Sequence, residues 1–204
     1  MYLYTEYIYN LIFAGTAKGM FALLVIFLGL GGLQRERAHH TAGFTLALPV
    51  SRFRVIGTQI VVGLIELATL ALIPAILLPG LSMFTHRSYP FSVALHFGIL
   101  WFFGGLIIFA MAFLLSVAAP GEYTAPVACS LVLMVHALVA TWHPLISYRL
   151  NLMWIMGEFR TMHWNAAHTL LQPSPLSWPR MFVMALLALL LFSAAVRVTR
   201  RQDF

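Results

Sequence analysis

Five stretches of this chain are apolar over a length that crosses a bilayer, and that constrains the fold more than any other feature. A segment in lipid has no water to satisfy its backbone N–H and C=O groups, so a single stretch can span only as a helix that bonds to itself. About 18 to 20 apolar residues suffice at the rise of an α-helix. The stretches run at about 16–33, 55–79, 92–118, 124–142 and 178–197, the last two being the shortest. Of the 204 residues 61% are hydrophobic and only 9% charged, against about a quarter charged in a soluble domain. No charge-rich block stands apart from the spans, so residues 1–204 read as a single transmembrane domain. The predicted fold is all-α, an integral membrane protein of about five transmembrane helices.

The few charges lie where spans end. Arg35, Arg37, Arg52 and Arg54 bracket the segment 34–54, and Arg197, Arg200 and Arg201 follow the last span. Lys18, Arg87, Arg149, Arg160 and Arg180 are spread over the opposite side. Short cytoplasmic loops are enriched in Lys and Arg, so the clustered side is predicted to be cytoplasmic, with the N-terminus outside and the C-terminus inside. The net charge of +6 is thereby a topology signal, and nucleic acid is not an expected partner.

The opening "MYLYTEYIYN" lacks the basic start of a signal peptide and fits an interfacial aromatic belt. Residues 143–177 are long for a connection. They hold two short mixed pieces, Leu150 to Gly157 and Trp164 to Leu171, before the prolines of "QPSPLSWP" stop helix formation. They read either as short helices lying on or dipping into the outer face, or as a solvated loop.

Within 34–54, "HTAGFTLALP" has room for about two helical turns, Pro49 ends them, and Ser51 can cap a helix that begins at Arg52 and enters the membrane. Such a part is either a stiff lever lying on the membrane surface or a loop whose arginines only enforce topology.

The run "RERAHHTAGFTLALPVSRFRV" resembles the segment after the second spanning helix in the permease subunits of type-2 ABC transporters, which carry a Glu-Arg pair, a small-residue step and a Leu-Pro-Val-Ser-Arg signature. The terminal "RRQDF" is similar to that family's Arg-Arg-Asp ending. The resemblance implies a permease of a bacterial inner membrane, with 34–54 as a coupling helix docking on an ATPase subunit. Arg35, Glu36, Arg37, Thr41, Leu48, Pro49, Ser51 and Arg52 would then form the contact and its hinge. The family usually has six spans, whereas here the segment follows the first of five.

ATP hydrolysis is not expected in this chain. The only lysine, Lys18 in "GTAKGM" at the outer end of a span, is not part of a phosphate-binding GxxxxGK[ST] loop. By the resemblance, ATP and magnesium belong to a partner ATPase, no cofactor is held here, and a second permease subunit completes a homo- or heterodimer. The small-residue runs "GTAKG" and "GLGG" permit close helix approach, within one chain or between two.

Two polar residues lie deep in predicted spans. Glu66 is about 17 Å from the inner end of its span, and His136 is at nearly the same depth, so a hydrogen bond between them is an expectation. Either Glu66 is protonated and bonded to a neighbouring helix, or it serves substrate or proton passage. The alternative function is a histidine-ligated haem or metal redox subunit, drawing on His96, His136 and His143, although no His pair at helical spacing of four marks a metal site. The lone Cys129 excludes an internal disulfide. No Gly-x-Ser-x-Gly or His-Glu-x-x-His motif supports a hydrolase.

Overall fold

The computed structural model describes residues 2–30, 52–84, 86–119, 124–142, 151–157, 162–164 and 171–201. The helices are α1 (Tyr2–Ile8), α2 (Thr16–Gly29), α3 (Arg52–Phe84), α4 (Phe91–Ala118), α5 (Thr124–Ala140), the short α6 (Leu152–Gly157) and α7 (Trp178–Arg201). A two-stranded antiparallel hairpin, β1 (Met162–Trp164) with β2 (Leu171–Pro173), lies between α6 and α7 and pairs His163 with Gln172. The fold is otherwise all-α.

Four helices have the length and apolarity to cross a membrane: Tyr4–Gly29, Arg54–Phe84, Phe91–Ala118 and Trp178–Thr199. The protein is therefore a multi-pass membrane protein. The fifth predicted span, α5, is a helix of 17 residues, about 25 Å long and so shorter than a hydrocarbon core of about 30 Å.

The bundle is built around α4. Of its apolar window 61% is buried, against 22–28% in the other three long helices, and α2, α3, α5, α6 and α7 all pack on it. Apolar surface alone cannot drive helices together in lipid, so close packing at small residues has to do so. A Cβ on Gly105 would lie 2.8 Å from Leu67 Cδ1 and 3.0 Å from Phe21 Cζ, and one on Gly98 3.1 Å from the Ala71 carbonyl. These contacts fix the register: Leu67 of α3 and Phe21 of α2 stand level with Gly105, midway along α4. For convenience, the end of the bundle where α2 stops and α3 starts is called lower and the other upper.

The first span begins at Tyr4, about twelve residues before the expected start near residue 16. Tyr2–Ile8 is helical and continues through a π-helical turn, Tyr9–Phe13, to a bend at Ala14 and Gly15, where the Ala14 N–H donates to the Tyr9 carbonyl at 2.9 Å. The π turn shifts the helical register by one residue, and both its aromatic members turn inward, Tyr9 and Phe13 being fully buried. Phe13 stacks on Phe97 at 4.5 Å between centroids and meets Trp101 edge-on at 5.7 Å; Tyr9 lies 5.4 Å from Phe97. Tyr9 thus belongs to the upper core of the bundle, whereas Tyr7 is exposed as a residue of an aromatic belt would be. Nearer the end, the Tyr4 hydroxyl bonds to Ser82 at 2.9 Å and the Arg87 guanidinium lies over the Tyr4 ring.

The upper aromatic cluster has two polar orphans. The Tyr89 hydroxyl and Trp101 Nε1 are buried without a hydrogen-bond partner. Burial, reinforced by the phenols of Tyr9 and Tyr4, pushes the Tyr89 phenol above its ordinary value, so that it stays neutral.

Candidate functional site

Lys18 of α2, Glu66 of α3 and His136 of α5 are the titratable side chains of interest, and they differ in what surrounds them. Lys18 was expected at the outer end of a span, but because the span starts at Tyr4 it lies 14 residues inside it. It sits on α2 between Phe21, level with Gly105, and Phe13, level with Phe97 and Trp101. Its ammonium donates to the Met153 carbonyl of α6 at 3.1 Å. A charge at this depth is costly unless bonded, and backbone carbonyls are a common partner.

The short helix α6 is held inside the bundle. Met156 is fully buried and packs against Gly104, where a Cβ would collide with its Cγ. Gly157 sits so close to the Phe13 carbonyl that it too has no room for a Cβ, and the Tyr9 hydroxyl donates to the Gly157 carbonyl at 3.5 Å. The first of the two mixed pieces of 143–177 is therefore a helix dipping into the bundle. The second is not a helix where it is described: Trp164 ends β1 and Leu171 begins β2.

His136 of α5 is half-buried, and its Nε2 accepts the Leu152 N–H at the start of α6 at 3.3 Å. Glu66 stands one residue before Leu67, hence at mid-length of the bundle, but it is exposed on the outer face of α3. Its exposed neighbours on α3 include Val62, Ile65 and Thr69, and the Thr69 hydroxyl is satisfied by the Ile65 carbonyl at 2.9 Å. Glu66 and His136 are not brought together as expected. His136 serves α6, and among the described residues the Glu66 carboxyl makes no hydrogen bond or ion pair.

Since no partner among the described residues would be lost, Glu66→Gln is expected to leave the thermal stability of the isolated chain within about 0.5 kcal/mol of the wild type. A clear fall in melting temperature in detergent would place the carboxylate in the fold and not on its surface.

Of the coupling residues suggested by the sequence, Arg35, Glu36, Arg37, Thr41, Leu48, Pro49 and Ser51 lie outside the described residues, as does the side chain of Arg52, whose backbone opens α3. His143 also lies outside them. His96 rests half-buried against the Phe97 ring at 5.5 Å. Among the described residues no three His, Cys, Asp or Glu side chains converge to hold a metal ion.

A groove of about 520 Å³ opens between α5 and α7 with α4 as its floor and α6 at one side. Sequence reasoning missed it because its shape depends on how far apart two helices stand on a third, which no periodicity encodes. Apart from His136 and Arg180, its lining is apolar. No family model, curated protein or solved structure matches the chain.

Proposed function

We propose that this chain is the membrane-spanning permease subunit of an ATP-driven ABC exporter in a cytoplasmic membrane, paired with a second permease subunit and driven by separate ATPase chains. The N-terminus is outside and the segment 34–54 faces the cytoplasm, where it receives the ATPase stroke.

The observation that carries the reading is Glu66. An acidic side chain at the centre of a lipid-exposed helix costs roughly 2.5–3.5 kcal/mol and is normally found facing protein or a water-filled path. Here the carboxyl is exposed at mid-depth and makes no hydrogen bond or ion pair among the described residues. That supports a face of α3 covered by another subunit or lining a passage between the two. Alongside it stands the resemblance of the run from Arg35 to Arg54, which leads directly into this helix. In this reading Arg35, Glu36, Arg37, Thr41, Leu48, Pro49, Ser51 and Arg52 meet the ATPase, and transport follows from motion between two helical bundles without a catalytic residue in either.

The test is affinity purification of the tagged chain from its own membranes. An ATPase subunit is expected to co-purify, and the double variant Leu48→Asp with Arg52→Asp is expected to lose it while still inserting into the membrane. Two acidic residues would replace an apolar anchor and a cation at the contact, and truncation of single anchors already costs about 2 kcal/mol or more. Unchanged co-purification would remove the role assigned to 34–54.

A further inference from the structure

The groove between α5 and α7 is unassigned by the transporter reading, and its argument requires only that the helices lie in a bilayer. Its floor is Ile107 and Met111 of α4 with Met184 of α7, and its rims include Val132 and Val183. Val132 and Val183 are exposed, as are Leu131, Val135, Leu186 and Leu190 on the same two helices. Those helices therefore present hydrocarbon to lipid, and the medium that reaches the groove laterally is lipid too. Its volume of about 520 Å³ falls in the range of sites that enclose a small organic ligand, roughly 300–1,000 Å³.

The polar members of the lining define the rest of the ligand. Arg180, in the first turn of α7, lies at the upper end where that span leaves the apolar layer, and its guanidinium can only donate. His136 accepts the Leu152 N–H at Nε2, so in the neutral ring the hydrogen sits on Nδ1 and the free position is again a donor. No Asp or Glu lines the groove, and no ion pair is recorded for Arg180 among the described residues. An apolar trough whose polar groups all donate fits an acyl chain ending in an acceptor-rich, negatively charged head.

We propose that this groove is a specific site for an anionic phospholipid of the surrounding bilayer, one acyl chain lying on Ile107, Met111 and Met184 and the phosphate meeting Arg180. Long cationic side chains at span ends reach toward the headgroup layer in this way, and a guanidinium is well matched to phosphate oxygens.

The purified full chain in detergent is titrated with phosphatidylglycerol or phosphatidylcholine of identical acyl chains, and bound lipid is read by native mass spectrometry. The wild type is expected to prefer phosphatidylglycerol by about tenfold, the scale of one charge-assisted hydrogen bond. Arg180→Gln is expected to bring the ratio near one with both lipids still bound, and Val132→Trp, which fills the groove from an exposed position, to abolish binding of both. Helical circular dichroism and a monodisperse elution profile check that each variant is folded. Equal affinity of the wild type for the two lipids overturns the proposal, as does an undiminished preference in Arg180→Gln or full binding by Val132→Trp. Failure of the wild type to bind either lipid overturns it too and points to a protein segment as occupant.

Discussion

Phe13→Ala is expected to destabilise the bundle by about 3–5 kcal/mol, the range for deleting a fully buried aromatic side chain. Phe13 has no exposed surface and is in ring contact with Phe97, Tyr89 and Trp101. In a bilayer the hydrophobic effect gives little reason for helices to associate, so the dispersion contacts of this cluster and the tight glycine crossings carry the load. Truncation to alanine empties the space between the first span and the upper half of α4, and neither helix can close it without breaking the register set at Gly98 and Gly105. The check is a denaturant or thermal unfolding series in detergent on wild type and variant. A loss under about 1 kcal/mol would mean that the opening residues lie on the bundle and not in it.

Gly157→Val is expected to dislodge α6 at a cost of about 2–3 kcal/mol, near the upper end of ordinary overpacking. The reason is the nature of the obstacle. At Gly104 the atom in the way belongs to the flexible Met156 side chain, which can move, whereas at Gly157 it is the main-chain carbonyl of Phe13. A displaced α6 gives up the bond from Lys18 to the Met153 carbonyl and the one from Leu152 to His136. Hydrogen exchange at Leu152 and Met153 offers a local readout beside the global melt. Wild-type protection in the variant would show that α6 does not depend on this contact.

The spans were legible in the sequence to the extent that hydropathy is additive. The runs at 55–79, 92–118 and 178–197 map onto α3, α4 and α7, because continuous apolar length needs no knowledge of neighbours. The start of the first span was not legible. Tyrosine, asparagine and glutamate lower a hydropathy average, yet Tyr9 is buried because a π turn and the surface of α4 accept it. That error carried Lys18 with it, since its depth was counted from a span starting too late. The hairpin in 143–177 was not legible, the stretch reading either as short helices or as a loop: three-residue strands leave no period to detect, and Pro173 pairs at a strand end where its missing N–H is tolerated.

The site shows the same division. The depth of Glu66 follows from counting residues, and α3 does place it at mid-length. Its direction does not follow, because α3 is apolar nearly all round and gives no side to prefer. Nor could the partner of His136 be found, since Leu152 is a backbone donor on a piece of chain that the sequence left open as a helix or a loop. The groove between α5 and α7 depends on tertiary spacing alone. Conversely, the segment most specific in sequence, from Arg35 to Ser51, lies outside the described residues, and its proposed role rests on composition, resemblance and the helix that follows it.

The central claim is that this segment touches an ATPase. A photoreactive amino acid placed at Leu48, illuminated in intact membranes and followed by mass spectrometry of the adducts, tests it at the contact itself. The account predicts an adduct with an ATP-binding protein that weakens when Arg52 is replaced by Asp. Adducts confined to lipid, or none at all, in membranes where the chain is stably inserted would contradict it.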